Sequence, residues 1–135
     1  MSARTLAPLL VAALLLGGLA GCNDEEDLLG QSELQDCLGG KGMTIEAPDL
    51  ATSSTLGNVS PDFRAVTGEG DGVNIVVIGS DQKARRAAAD IRGSLQTLGA
   101  PGSEVLTQRN AIAVFEDTPS DASRTAVEAC LGAGG

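Results

Sequence analysis

The chain has 135 residues with 9 basic and 18 acidic side chains, a formal net charge of −9. It contains no His, Trp or Tyr, and its aromatic residues are Phe63 and Phe115 alone. These absences exclude a Ser-His-Asp triad, a Cys-His pair and a His-based zinc site. The acidic balance, with so few stacking rings, excludes nucleic acid as an expected partner.

In chain order, the first feature is Arg4 followed by an apolar run from Leu6 to Leu19, interrupted by Pro8, Gly17 and Gly18. The run falls short of the roughly 20 apolar residues that a spanning helix needs and has the make-up of a secretory signal. It ends on Leu19-Ala20-Gly21-Cys22, which resembles the lipobox of bacterial lipoproteins. That resemblance covers the N-terminus only. It implies cleavage between Gly21 and Cys22 and a diacylglyceryl group on the Cys22 thiol. The protein would then be held by lipid on the extracytoplasmic face of the cell membrane, since two or more acyl chains anchor stably where one does not. An ordinary signal peptide, or a core helix with a chance cysteine, is the competing reading. The expected organisation is a signal peptide over 1–21, an acidic tether over 22–31, one α+β domain over 32–131 and a disordered tail over 132–135. The consecutive acids Asp24 to Asp27 read as solvation, because they lack the ligand spacing and turn glycine of a calcium loop.

Ser32-Glu33-Leu34-Gln35 reads as a capping box opening a helix, with Leu34, Cys37 and Leu38 on one face and Gly39-Gly40 at its end. Met43 to Glu46 reads as a short strand with Met43 and Ile45 on one side. Pro48 to Pro61 is a long loop rich in Ser, Thr and Gly. Phe63 to Thr67 is a second strand, Gly68 to Gly72 a turn, and Val73 to Ile78 an apolar, β-branched run that belongs at the centre of a sheet. Ser80 or Asp81 caps a helix whose apolar face is Ala84, Ala87, Ala88, Ile91, Leu95 and Leu98. Gly99 and Pro101 stop it. Glu104 to Thr107 and Ala111 to Phe115 form a hairpin around Gln108-Arg109-Asn110. Thr118, with Pro119 as first helical residue, opens a last helix whose apolar face is Ala126, Val127, Cys130 and Leu131.

Strand, turn, strand, helix therefore occurs twice, over 63–98 and 104–131. The expected fold is α+β: two ββα units pairing into one antiparallel sheet, with the helices on one face, preceded by an N-terminal helix and strand. With Cys22 taken by lipid, Cys37 and Cys130 remain, an even number in an oxidising compartment, so a disulfide between the first and last helices is expected. Two buried free thiols are the alternative. The domain also resembles small actinobacterial secreted and lipoprotein domains, through Cys37-Leu38-Gly39, Pro119-Ser120-Asp121 with Arg124, and Glu128-Ala129-Cys130-Leu131. That resemblance supports the fold and implies no activity.

Four stretches have a superficial chemical look. Gly68-x-Gly-x-Gly72 precedes a strand, whereas phosphate-binding glycines follow one and open a helix, so a hairpin turn explains it. Asp71 with Glu69 offers too few ligands for calcium. Ser80-x-x-Lys83 lacks the companion motifs of penicillin-recognising enzymes, and helix capping explains it. Glu116-Asp117 is explained by charge complementarity at a helix N-terminus. Lys83, Arg85, Arg86 and Arg92, with Arg86 able to pair with Asp90 at i+4, form a basic face; a solvated helix face is the favoured reading, and contact with anionic headgroups or an acidic partner the sharper one. The expectation is a monomeric, non-enzymatic domain without cofactor or metal, carried on the membrane by Cys22, binding an envelope protein and no nucleic acid. The alternative is a small-ligand or lipid-binding module with a pocket at Met43, Ile45 and Phe63 beneath the 48–61 loop. A hydrolase using carboxylates is the least favoured.

Overall fold

The structure, a computed structural model, describes residues 28–48, 56, 59–99 and 103–132. Its elements in chain order are α1 (Gln31–Gly40), β1 (Thr44–Glu46), β2 (Phe63–Val66), β3 (Gly72–Val77), α2 (Asp81–Leu98), β4 (Val105–Gln108), β5 (Ala111–Phe115) and α3 (Asp121–Gly132). The strands form one antiparallel sheet in the order β1-β2-β3-β5-β4. The two expected ββα units are β2-β3-α2 and β4-β5-α3. They join through β3 and β5, in register from Val73 opposite Phe115 to Val77 opposite Ala111. Because β3 and β4 are both antiparallel to β5, they run parallel to each other, and α2 is the crossover between them.

The helices do not share one face, as expected from sequence; they cover both. Side chains alternate across a strand, and this alternation divides the core. Phe63, Ala65, Val73, Ile75, Ala113 and Phe115 pack with α1 and α3 through Leu34, Leu38, Val127 and Leu131. Val76, Ile112 and Val114 pack with α2 through Ala84, Ala88, Ile91 and Leu95. β5 is buried along its whole length, and an unbroken apolar run of that kind is the mark of a strand covered on both sides.

Helix ends also differ from expectation. α1 begins one residue before Ser32, with Gly30 as N-cap and no side-chain cap. Leu29, two residues before the helix, is already buried in the core. The other end is as the glycines imply. Gly42 takes φ +86°, Met43 N–H donates to the Leu38 carbonyl at 3.1 Å, and Met43 and Leu38 share the core, which is the Schellman arrangement. α2 is capped by Ser80, whose Oγ accepts from Lys83 N–H at 3.2 Å. Leu98, expected on its buried face, is 60% exposed on the last helical residue. α3 is capped by Ser120, which accepts from Ser123 N–H at 3.1 Å, and not by Thr118. The β4–β5 loop has two residues, Arg109 and Asn110, because Gln108 pairs with Ala111.

Cys37 on α1 and Cys130 on α3 form a disulfide, with Cα atoms 5.7 Å apart and 93 residues between them in sequence. It joins the two helices that share one face of the sheet.

Candidate functional site

The sheet has two ends, and each gathers a different chemistry. At one end lies Asn110, in the β4–β5 loop. Its side chain is buried and holds three backbone groups. Oδ1 accepts from Leu29 N–H at 2.7 Å, and Nδ2 donates to the Leu29 carbonyl at 3.0 Å and the Ile78 carbonyl at 2.9 Å. The N-terminal segment therefore joins the domain beside the end of β3, from which Ser80 starts α2. The expected lipidation residue Cys22 and the acids Asp24 to Asp27 lie outside the described residues.

The four basic residues expected to share one function are separated by the structure. Arg85 forms an i,i+4 ion pair with Asp81, a turn before the expected Arg86–Asp90 pair. Arg92 donates through Nη2 to the Val105 carbonyl at 3.1 Å. Phe115 N–H donates to the Glu104 carbonyl at 2.9 Å, so the backbone groups of Val105 face the free side of β4, and Arg92 covers an edge carbonyl there. Lys83 and Arg86 stay exposed.

At the other end, marked by Gly70 in the β2–β3 turn, the chemistry is carboxylate. The turn is closed by Thr67: its N–H donates to the Asp71 carbonyl at 2.9 Å and its Oγ1 accepts from Asp71 N–H at 3.0 Å. Asp71 Oδ2 in turn accepts from Ser123 Oγ at 2.9 Å and Ser120 N–H at 3.4 Å. Asp71 thus supplies the negative charge at the α3 N-terminus, a role that Glu116 and Asp117 had seemed to fill.

Glu116 belongs instead to an ion-pair rack on the part of the sheet beyond α2. Arg64 on β2 donates from Nε to Glu116 Oε1 at 2.6 Å, from Nη2 to Oε2 at 2.8 Å and from Nη1 to Glu46 Oε2 at 2.8 Å. The guanidinium holds the Glu116 carboxyl below its usual range, chiefly through these hydrogen bonds. The forked pair lies flat across Gly72, where any Cβ would collide with Glu116 and Arg64. Asn74, on the same sheet face, is buried; its Nδ2 reaches Glu116 Oε1 only at 3.5 Å, and its Oδ1 has no hydrogen-bond partner. No sequence signal singled out Arg64, because cross-strand proximity depends on a register visible only after folding. Arg124 pairs with Glu104 at 2.9 Å and with Asp121 at 2.9 Å.

Among the described residues Met43, Ile45 and Phe63 do not line one pocket together, and most of the 48–61 loop expected above them lies outside the described residues; Met43 alone of the three borders a cleft. Met43 and Phe63 are buried in the core and Ile45 packs against it, while Leu56 and Val59 of the supposed lid pack on the opposite face of the sheet with α2. A shallow cleft of about 310 Å³ lies at the Gly70 end, between Lys41, Glu69, Ala122 and Ala126. Among the described residues no group of three or more Cys, Asp or Glu could hold a metal ion, and no helix is long and apolar enough to cross a membrane. No family model, no curated protein and no solved structure matches this chain.

Proposed function

We propose that the protein is a lipid-anchored extracytoplasmic binding domain, attached through Cys22, without enzymatic activity, whose partner is another component of the cell envelope. Cysteine arithmetic carries the reading. The chain has three cysteines, Cys37 and Cys130 are bonded to each other, and the remaining one follows Leu19-Ala20-Gly21 and an apolar run. A disulfide closing nearly the whole domain suits an oxidising compartment, and lipid is the chemistry that a lipobox cysteine takes.

The partner is a protein with a basic surface. Glu69 lines the cleft at the Gly70 end and Asp117 is exposed at the same end, while Glu104 and Asp121 there are shared with Arg124; complementary charge selects partners and speeds encounter. The small-ligand alternative would use a groove under the 48–61 loop, most of which lies outside the described residues.

The test is the intact mass of the protein purified from native membranes, before and after reduction. The expected mass is that of residues 22–135 plus acyl chains, with a gain of two hydrogens on reduction. An unlipidated mass overturns the anchoring. Crosslinking in those membranes should then return a specific basic protein, and loss of the crosslink on Glu69→Lys would place the contact at the Gly70 end.

A further inference from the structure

We infer that the start of α2 is a membrane-contact surface: Lys83 and Arg86 seat the Asn110 end of the sheet on anionic phospholipid headgroups, so that the carboxylate-rich Gly70 end faces away from the membrane. The inference rests on the lipid anchor proposed above and adds an orientation to it.

Three observations carry it. The first is where the chain joins the domain. Asn110 bridges Leu29 to Ile78, and Ser80, two residues after Ile78, caps α2. Residues 23–28 span at most about 20 Å when fully extended, so acyl chains on Cys22 keep the first turns of α2 close to the headgroups. The second is the charge that remains after intramolecular pairing. Asp81 is engaged by Arg85, and the nearby Asp62 accepts from Val77 N–H at 2.7 Å. Lys83 and Arg86 are exposed and, among the described residues, have no ion-pair partner; the exposed acid on the same helix, Asp90, lies one turn farther from Ser80. The third is the contrast with the opposite end, where Lys41 and Arg124 stand with Glu69, Glu104, Asp117 and Asp121, Arg124 being paired with Glu104 and Asp121, so that Glu69 and Asp117 remain. An anionic leaflet attracts Lys83 and Arg86 at short range, within a Debye length of its surface, against the repulsion of Glu33 in the first turn of α1 and of the acids Asp24 to Asp27 in the sequence before Leu28. Leu28, 43% exposed at the junction, adds an apolar contact beside the cations.

The two lysines after Cys22 provide the experiment, because Lys41 and Lys83 lie at opposite ends of the sheet. Full-length lipidated protein, its acyl chains verified by mass, is reconstituted in phosphatidylcholine vesicles with and without phosphatidylglycerol. Brief amine acetylation is then read by peptide mass spectrometry. On anionic vesicles the Lys83:Lys41 labelling ratio should fall about fivefold, return in high salt, and fall less in Arg86→Ala. A ratio on both vesicle types equal to that of the lipidated protein in detergent overturns the orientation while leaving the anchor intact. A fall that is the same on zwitterionic vesicles overturns headgroup charge as its cause. Protein without acyl chains on Cys22 fails at the mass measurement and overturns the anchor itself.

Discussion

Asn110 holds Leu29 by both of its backbone groups, 81 residues away in sequence, and the same side chain holds the carbonyl of Ile78. One amide thus fixes where the N-terminal segment meets the sheet and where α2 departs from it. Its burial, at 2% exposure, means that water cannot replace it.

Asn110→Ala should therefore cost about 3 kcal/mol in urea unfolding, since it strands a buried N–H and two carbonyls. Asn110→Asp keeps the acceptor for Leu29 N–H but sets a carboxylate against two carbonyl oxygens, and should be destabilised at least as much. A loss below about 1 kcal/mol for both variants would mean that the N-terminal junction is not a fixed point of the fold.

Glu116 gives the domain a pH dependence whose sign follows from Arg64. The folded-state pKa is depressed below the ordinary value of 4.5, so the stabilisation is complete above that value and is lost as the pH falls below it. Glu116→Gln should cost about 1 kcal/mol at neutral pH. It should also show a shallower loss of stability than the parent between about pH 5 and pH 3. Parallel acid titrations of the two proteins by circular dichroism would check this; identical slopes would remove Glu116 from the balance.

Gly72 is required by what lies over it. Its backbone is not in the left-handed region, so an alanine there would be strained only by contact with the Arg64–Glu116 fork. Gly72→Ala should cost about 1–2 kcal/mol in the parent and close to nothing in a background with both Arg64→Ala and Glu116→Ala, since both side chains meet the added Cβ, a coupling that a mutant cycle reads directly. Equal costs in both backgrounds would place the strain elsewhere.

Much of the fold is legible in the residues, and the parts that are not share a cause. The apolar run Val73 to Ile78 announces a central strand, the repeat of Ala84, Ala88, Ile91 and Leu95 announces α2, and the glycines after Leu38 announce a helix end. Each is a local pattern. The covering of both sheet faces was also signalled, since Ala111 to Phe115 shows no polar alternation, but which helix takes which face is set by the crossover from β3 to β4. Ser32 and Thr118 had the residue types of caps, yet Gly30 and Ser120 begin the helices, because burial of Leu29 and the Asp71–Ser123 hydrogen bond fix the helix starts through tertiary contacts. Arg64 and Glu46 lie on β2 and β1 and Glu116 just past the end of β5, and only the register brings them together. Of the basic residues, composition could count four but could not show that Asp81 and the Val105 carbonyl already occupy two of them.

The disulfide should dominate stability under oxidising conditions. Closing a loop with 93 residues of separation stabilises by roughly 4–5 kcal/mol in the chain-entropy model, as an upper figure. For a domain of this size that approaches the whole stability. Cys37→Ser with Cys130→Ser should lower the urea midpoint by most of its value and remove the response to dithiothreitol. A double variant as stable as the oxidised parent would mean that packing of α1 against α3 suffices by itself.

Among the described residues, Asn74 alone has a buried side-chain polar atom without a hydrogen-bond partner. It sits in β3 between Gly72 and Val76, opposite Arg64 on β2 and Val114 on β5, and is 1% exposed. Its Oδ1 is unpartnered, and its hydrogen bond to Glu116 is at the limit of a useful length. An unpaired buried oxygen costs about 1–3 kcal/mol, whereas an apolar group of similar shape costs nothing of the kind. Asn74→Val also gains in β propensity and extends the apolar surface shared with Val76 and Val114. The variant should be as stable as the parent or more so, by up to about 1 kcal/mol in urea unfolding. It should leave the Arg64–Glu116 pair in place and remove only the smallest of the causes that lower the Glu116 pKa, so the acid titration below about pH 5 would stay close to the parent's slope and become no steeper. A loss of about 2 kcal/mol instead would mean that a buried water satisfies Oδ1 and forms part of the core.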